Sequence, residues 1–202
     1  MIKIVFVCTG NICRSPVAEA LFRARMSRDY PRLAHLVEVS SCGTSAIEGN
    51  IATSAAVQSM DLWSIDLAGH RSMPCTGRLI EEADLVLVMA REHLLYLERM
   101  RPRSKHKTTT LKDLAGIAGE VSRRMGEETA AGEGEARGRL EGILHTLGER
   151  PHEEGFMADM YSRGSDIIDP IGSSLQTYIG VAEDIDSSLG AALRALFGRP
   201  DR

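Results

Sequence analysis

Ile2-Lys3-Ile4-Val5-Phe6-Val7-Cys8-Thr9-Gly10-Asn11-Ile12-Cys13-Arg14-Ser15-Pro16 is the stretch that decides the fold. Its first six residues are β-branched or apolar apart from one lysine, which suits a strand buried on both faces of a parallel sheet. Ser15 is a good N-cap and Pro16 a good first helical residue, so a helix is expected over residues 15–27. Ala18, Leu21, Phe22 and Arg25 share one face of it, the stem of Arg25 covering apolar surface. The connection between strand and helix, Cys8 through Ser15, is where such a fold best holds an anion. Consecutive backbone N–H groups form a nest there, and the helix adds the positive end of its dipole. Gly10 and Asn11 tolerate the left-handed backbone such a cradle needs, and the planar fork of Arg14 can grip two phosphate oxygens. A thiol facing this cluster is expected as a thiolate, hence a nucleophile. An isolated cysteine at a strand end more often acts as a small hydrophobe. Arginine six positions on, then serine, between a buried strand and a proline-started helix, favours the chemical role. Neither G-x-x-x-x-G-K-[ST] nor G-x-G-x-x-G occurs in this loop.

Outward from this stretch, strand-like and helix-like segments alternate. Residues 36–41 read as a second strand ended by Gly43, and 52–63 as a helix with Ala56, Met60 and Trp63 on one stripe. Residues 79–82 read as a short helix and 84–89 as a buried strand. Residues 91–100 form an amphipathic helix around Leu94, Leu95 and Leu97, and the Thr-rich 107–111 a fourth strand. A last helix over 173–197 turns Leu175, Tyr178, Ile179, Ala182, Ile185, Leu189, Leu193 and Leu196 inward. The order predicts an α/β fold, a doubly wound three-layer sandwich on a four-stranded parallel sheet, with ligands at the carboxyl ends of the strands. Residues 118–165 break the rhythm: they hold nearly half of the 19 glycines and many glutamates. Leu140, Ile143, Leu144 and Leu147 suggest one short amphipathic helix there, and the rest reads as loop. The expectation is a single domain over 1–202 with a Gly/Glu-rich insertion at about 118–165.

Composition excludes several classes. With 43% hydrophobic and 26% charged residues the chain is ordinary for a soluble globular protein. A formal charge of −4 gives no general field for nucleic acid or an anionic membrane. No apolar run is long enough to span a bilayer, and no secretory leader is legible, so a cytoplasmic location is expected. Four cysteines in 202 residues do not suggest a disulfide framework. No His/Asp/Glu cluster has ligand spacing, so neither a metal nor another cofactor is expected.

The segment Val7 through Pro16, with Ala18-Glu19 after it, resembles the signature of the low-molecular-weight protein tyrosine phosphatase family. The likeness extends to Ser41-Cys42-Gly43-Thr44, to Gly69-His70-Arg71-Ser72 and to Asp169-Pro170, leaving the insertion outside. The resemblance implies a phosphate-binding loop over Thr9, Gly10, Asn11, Ile12, Cys13, Arg14 and Ser15. It implies Cys8 as nucleophile, Arg14 as phosphate clamp, Ser15 as a hydroxyl stabilising the thiolate, and Asn11 with His70 as support for the loop. It further implies Asp169 as general acid. Chemistry agrees that some acid is needed, because attack by Cys8 on a phosphate ester expels an oxyanion. Asp-Pro at a turn presents a carboxylate from a stiff backbone, although Asp166 is a nearby rival. Cys13 is a candidate redox partner: a loop wrapped around one phosphate can bring two thiols into disulfide range, and the resemblance implies a protective pair. Cys42 and Cys75 read as structural.

The expected partner is a phosphorylated protein or peptide, with no nucleic acid or membrane, bound by a monomer or weak dimer. The position between Asn11 and Cys13 lines the pocket in this family. Ile12 is similar to the tyrosine-directed members, whereas relatives acting on phosphoarginine typically carry Thr. A bulky apolar residue suits an aromatic ring better than a guanidinium. Yet Asp169-Pro170-Ile171-Gly172 and residues 47–50 lack the aromatic walls of typical tyrosine phosphatases, and the former looks like the phosphoarginine branch. Protein-tyrosine phosphatase is the leading expectation and protein-arginine phosphatase the alternative. An arsenate reductase would need further cysteines, and Cys75 has no sequence neighbour to pair with. A non-catalytic phosphate-binding module would not need both Cys8 and Asp169. The insertion enters just before Asp169 and is expected to flank the site, Tyr161 or Phe156 offering a missing wall.

Overall fold

In the computed structural model, which describes residues 1–149, 164 and 166–201, strands and helices alternate along the chain. They are β1 (Ile2–Cys8), α1 (Arg14–Asp29), β2 (Val37–Gly43), α2 (Ser54–Ser59), α3 (Gly77–Glu82), β3 (Leu85–Val88), α4 (Arg91–Met100), β4 (Thr108–Thr110), α5 (Leu111–Met125) and α6 (Glu133–Gly148). The last, α7, runs over Leu175–Phe197. The four strands are parallel in the order β2-β1-β3-β4, the arrangement the alternating pattern predicts. Because β1 is central and buried, its residues split between two cores by simple alternation. Ile2, Ile4, Phe6 and Cys8 face the layer holding α1, α5 and α7, while Val5 and Val7 face α3 and α4 through Ile80 and Leu97. Strand pairing places Cys8 opposite Gly43 and Val7 opposite Val88, so the β1–α1 connection opens at the carboxyl edge of the sheet.

Two expectations need correction, and the helix expected in the insertion is present. Residues 118–125 are not loop: they finish α5, whose Leu114, Ile117, Ala118 and Val121 are buried. Gly116 and Gly119 disguise this helix in the sequence, but its apolar stripe against α7 outweighs their poor propensity. The amphipathic helix of the insertion is α6, 16 residues long, and it is packed into the molecule: Ala136, Arg139, Leu140 and Ile143 are buried. Leu95 is half exposed, so α4 buries His93 and Leu97 instead. Tyr161 and Phe156 lie outside the described residues. Among the described residues no helix is long and apolar enough to cross a membrane.

Candidate active site

Cys8 is buried at the end of β1, and its sulfur is met from two sides. The Asn11 N–H donates to Sγ at 3.2 Å, and the Ser15 hydroxyl lies 3.0 Å away. Ser15 is not the helix cap that its type suggests. Helix α1 begins one residue earlier, with Cys13 at the cap position and no side-chain cap bond. The serine oxygen accepts from Asn11 Nδ2 at 2.9 Å, so its own proton is available for the sulfur or for the more distant Cys42 carbonyl at 3.4 Å.

Asn11 organises the loop. Its φ of 52° lies in the left-handed region, which asparagine visits more readily than most residues. The side chain is fully buried with both ends used: Nδ2 donates to Ser15 and, at 2.8 Å, to Ser41 Oγ, and Oδ1 accepts from the Met73 N–H at 2.8 Å. His70 Nε2 lies 2.7 Å from the Asn11 carbonyl. Gly43 completes the cradle, since a Cβ there would sit 2.5 Å from the Thr9 carbonyl and 2.9 Å from the Asn11 nitrogen. The sequence reading placed Ser41 and Gly43 in the family likeness without giving them a role and passed over Met73, because their contacts come from other strands and loops.

Arg14 is buried, and its Nη2 bonds Asp169 Oδ2 at 2.5 Å and Thr9 Oγ1 at 3.3 Å, while Nη1 donates to the Ile167 carbonyl at 3.3 Å. Asp169 is brought to the loop across 155 residues, and its Oδ1 accepts the Ile171 N–H. The rival Asp166 is engaged elsewhere: its Oδ1 accepts the Arg91 N–H at 2.9 Å, at the first turn of α4. The same turn holds His93, which the sequence reading passed over. His93 is buried, with Nε2 3.0 Å from Thr9 Oγ1, and burial together with the charge of Arg14 pushes its pKa down to about 4.

Cys13 is a free, buried thiol beside Thr53 Oγ1 at 3.3 Å and Tyr178 Oη at 3.7 Å, and burial pushes its pKa up. Cys75 does have a partner, contrary to the sequence reading. It is disulfide-bonded to Cys42, with Cα atoms 5.0 Å apart, because residues 73–75 run alongside the end of β2 and bond Gly43. Spacing of 33 residues gave no hint of this pairing.

Both segments flanking the loop carry exposed isoleucines. The Thr53 N–H bonds the Ile12 carbonyl and the Ser45 N–H the Thr9 carbonyl, which ties residues 45–53 to the loop. On this segment Ile47 and Ile51 are 70% and 64% exposed, and beside Asp169 Ile168 and Ile171 are 69% and 55% exposed. The rim thus sets aliphatic side chains among the exposed polar Ser45, Glu48, Asn50 and Asp169, with no aromatic side chain on these described stretches.

Comparison with known proteins gives one consistent family. The family model described as low molecular weight phosphotyrosine protein phosphatase matches residues 3–129. A protein-arginine-phosphatase of Bacillus subtilis is 41% identical over 119 residues, 58% of this chain and 76% of that one. A low molecular weight protein-tyrosine-phosphatase of Acinetobacter johnsonii is 36% identical over 109 residues, 54% of this chain and 71% of that one. The crystal structure of the low molecular weight protein tyrosine phosphatase from T. tengcongensis superposes with a TM-score of 0.66 at 27% identity, covering 96% of this chain and 99% of that one.

Proposed function

The chain belongs to the low molecular weight phosphotyrosine protein phosphatase family, phosphoric monoester hydrolases, and we propose that it removes phosphate from phosphotyrosine in proteins through a cysteinyl-phosphate intermediate. The single observation that supports the assignment of roles is the setting of Cys8 Sγ, which accepts from the Asn11 N–H and lies 3.0 Å from the Ser15 hydroxyl, beside the buried Arg14. Cys8 attacks phosphorus, and the ester oxygen departs with a proton from Asp169. Asp169, now a carboxylate, draws a proton from the water that releases orthophosphate from sulfur. Arg14 carries five N–H donors, of which the contacts among the described residues, to Ile167, Thr9 and Asp169, use three, leaving two of that set for phosphoryl oxygens. The loop backbone from Thr9 to Ser15 supplies the remaining donors, and Asn11 with His70 keeps it in shape. Asp166, held on α4, is left out of the proton transfer. Cys13 is the proposed redox partner of Cys8: peroxide would convert the two thiols into a disulfide with release of water, and dithiothreitol would restore them. The enzyme works in the cytoplasm as a monomer or weak dimer.

The isoleucines of the rim support an aromatic leaving group, since the exposed Ile47, Ile51, Ile168 and Ile171 and the partly buried Ile12 offer a tyrosine ring apolar surface. The second reading is protein-arginine phosphatase, favoured by the 41% identity to the Bacillus subtilis relative and by the missing aromatic wall. Rates on matched phosphotyrosine and phosphoarginine peptides decide between them. The expected result is a higher kcat/KM on phosphotyrosine, and the reverse order replaces the first reading by the second. Turnover of p-nitrophenyl phosphate by wild type and none by Cys8→Ser is expected; full turnover by the variant would remove Cys8 from its role.

A further inference from the structure

His93 stands 84 residues from Thr9 in sequence yet is buried against its hydroxyl. Its ring is fixed from both ends. Nδ1 lies 3.1 Å from the Ala90 nitrogen, and a backbone N–H only donates, so Nδ1 is the acceptor and the ring proton sits on Nε2. This is half of a capping box, with the side chain at the third helical position reaching back to the cap N–H. Nε2–H then points at Thr9 Oγ1, 3.0 Å away, with Glu92 Oε1 more distant at 3.4 Å. Thr9 Oγ1 also accepts from Arg14 Nη2 and keeps its own proton for Glu92 Oε1 at 3.5 Å. Both lone pairs and the proton of that hydroxyl are thereby committed, which fixes its rotamer against one edge of the guanidinium.

We infer that His93, acting through Thr9, is a positioning residue for the Arg14 clamp. The inference rests on the reading of Cys8 and Arg14 as a phosphate site. A neutral ring suits the task, because an imidazolium beside Arg14 would repel it and would turn an N–H onto the Ala90 N–H. Burial and the Arg14 charge keep His93 neutral at pH 7. The first turn of α4 acts on the site twice. It fixes one edge of Arg14 through His93 and Thr9, and it anchors the chain leading to Asp169 through the Asp166 bond to the Arg91 N–H.

A residue that only capped α4 would affect stability alone, so the test reads phosphate recognition. Variants His93→Phe, His93→Gln, Thr9→Val and His93→Phe/Thr9→Val are compared with wild type for kcat/KM on p-nitrophenyl phosphate. Orthophosphate affinity is measured in parallel by calorimetry, which needs no turnover. His93→Phe and Thr9→Val are each expected to weaken orthophosphate binding and kcat/KM by about tenfold, the worth of one buried hydrogen bond. The double variant is expected to be no worse than about the poorer single one, because both remove the same support. Gln, whose amide can still donate to Thr9, is expected to recover most of the loss. Multiplying effects in the double variant, or unchanged orthophosphate affinity with only a lower Tm, overturns the inference. If His93→Phe does not fold, the same decision rests on Thr9→Val and its combination with His93→Gln. Wild type that binds orthophosphate but turns nothing over sinks the phosphatase reading instead.

Discussion

Asp169 divides its two oxygens between tasks: Oδ2 meets Arg14 and Oδ1 holds the Ile171 N–H in a tight turn. An asparagine keeps the turn but has no proton to give. Asp169→Asn is therefore expected to lower kcat by on the order of 10²–10⁴ on phenyl phosphate, with a much smaller loss on p-nitrophenyl phosphate, whose leaving group needs less help. Equal losses on both esters would move the acid elsewhere. His93 makes a second residue-scale prediction, through stability. Its pKa falls from the usual 6.5 to about 4 on folding, so between those values the unfolded chain binds the proton and the folded chain does not. Stability contributed by the neutral ring is thus present above about pH 6.5 and lost as pH falls toward 4. Arg14, Asp169, Glu92 and Thr9 are the groups facing it, and of these Arg14 adds to the downward shift while Asp169 opposes it. Urea melts at pH 7 and pH 5 should show wild type losing about 2 kcal/mol more than His93→Gln. A parallel loss in both would assign the acid sensitivity to other groups. Cys8, Arg14 and Ser15 were legible because their chemistry is packed into consecutive residues. His93 was not, because nothing local distinguishes a histidine at a helix start from a solvent-facing one.

At the scale of elements, the phosphate loop is shaped less by its own glycine than by the strand beside it. Gly43 closes β2 where the Thr9 carbonyl and the Asn11 nitrogen come within 2.9 Å of its missing Cβ, and both obstacles are backbone that cannot swing aside. Gly43→Ala should therefore displace the loop rather than the strand. Turnover is expected to fall by about 100-fold or more, with orthophosphate affinity falling alongside, since nest and clamp lose register together. Near wild-type rates would mean that the loop adapts at little cost. The Cys42–Cys75 link lies next to this contact and fastens residues 73–75, which carry the Met73 N–H that holds Asn11. Sequence patterns supplied the strands and the long last helix, since buried parallel strands and an amphipathic helix have strong periodic signals. They failed at α5, where two glycines lowered the local signal and the deciding term was burial against α7. The pairing of Cys42 with Cys75 was equally invisible, being a product of tertiary approach at the sheet edge.

For the whole molecule, the question is how 16 helical residues of an insertion rich in glycine and glutamate join the fold. Arg139 of α6 gives the answer. It is among the largest fully buried side chains, and among the described residues its hydrogen bonds all go to backbone carbonyls. Nε donates to Ala195 at 3.0 Å, Nη1 and Nη2 to Gly126 at 3.1 Å, and Nη2 to Arg194 at 3.4 Å. These are carbonyls at the end of α7 and just past α5, where helices leave acceptors without intrahelical partners and where the dipole favours a positive charge. One guanidinium therefore closes two helix ends and fastens α6 across them, with Ala136, Leu140 and Ile143 burying the apolar side of the same helix. Sequence periodicity found the stripe of Leu140, Ile143 and Leu144, but an arginine beside it reads as a solvated flank, because helix-end carbonyls have no signature in the residues that receive it. Arg139→Ala removes the donor to the Ala195 carbonyl in a buried hydrogen bond, loses the bonds to Gly126 and opens a cavity, a loss expected at about 3 kcal/mol. For a chain of this size that is a Tm lower by about 6–12 °C. Arg139→Leu fills the volume but not the hydrogen bonds, so it should recover only part of the loss. Because α6 packs against α5 and α7 and its Arg137 and Glu133 bond Met1 at the start of β1, the end opposite Cys8, kcat at 20 °C should stay within about twofold of wild type in both variants. A Tm unchanged in Arg139→Ala would mean that α6 is held by its apolar face alone.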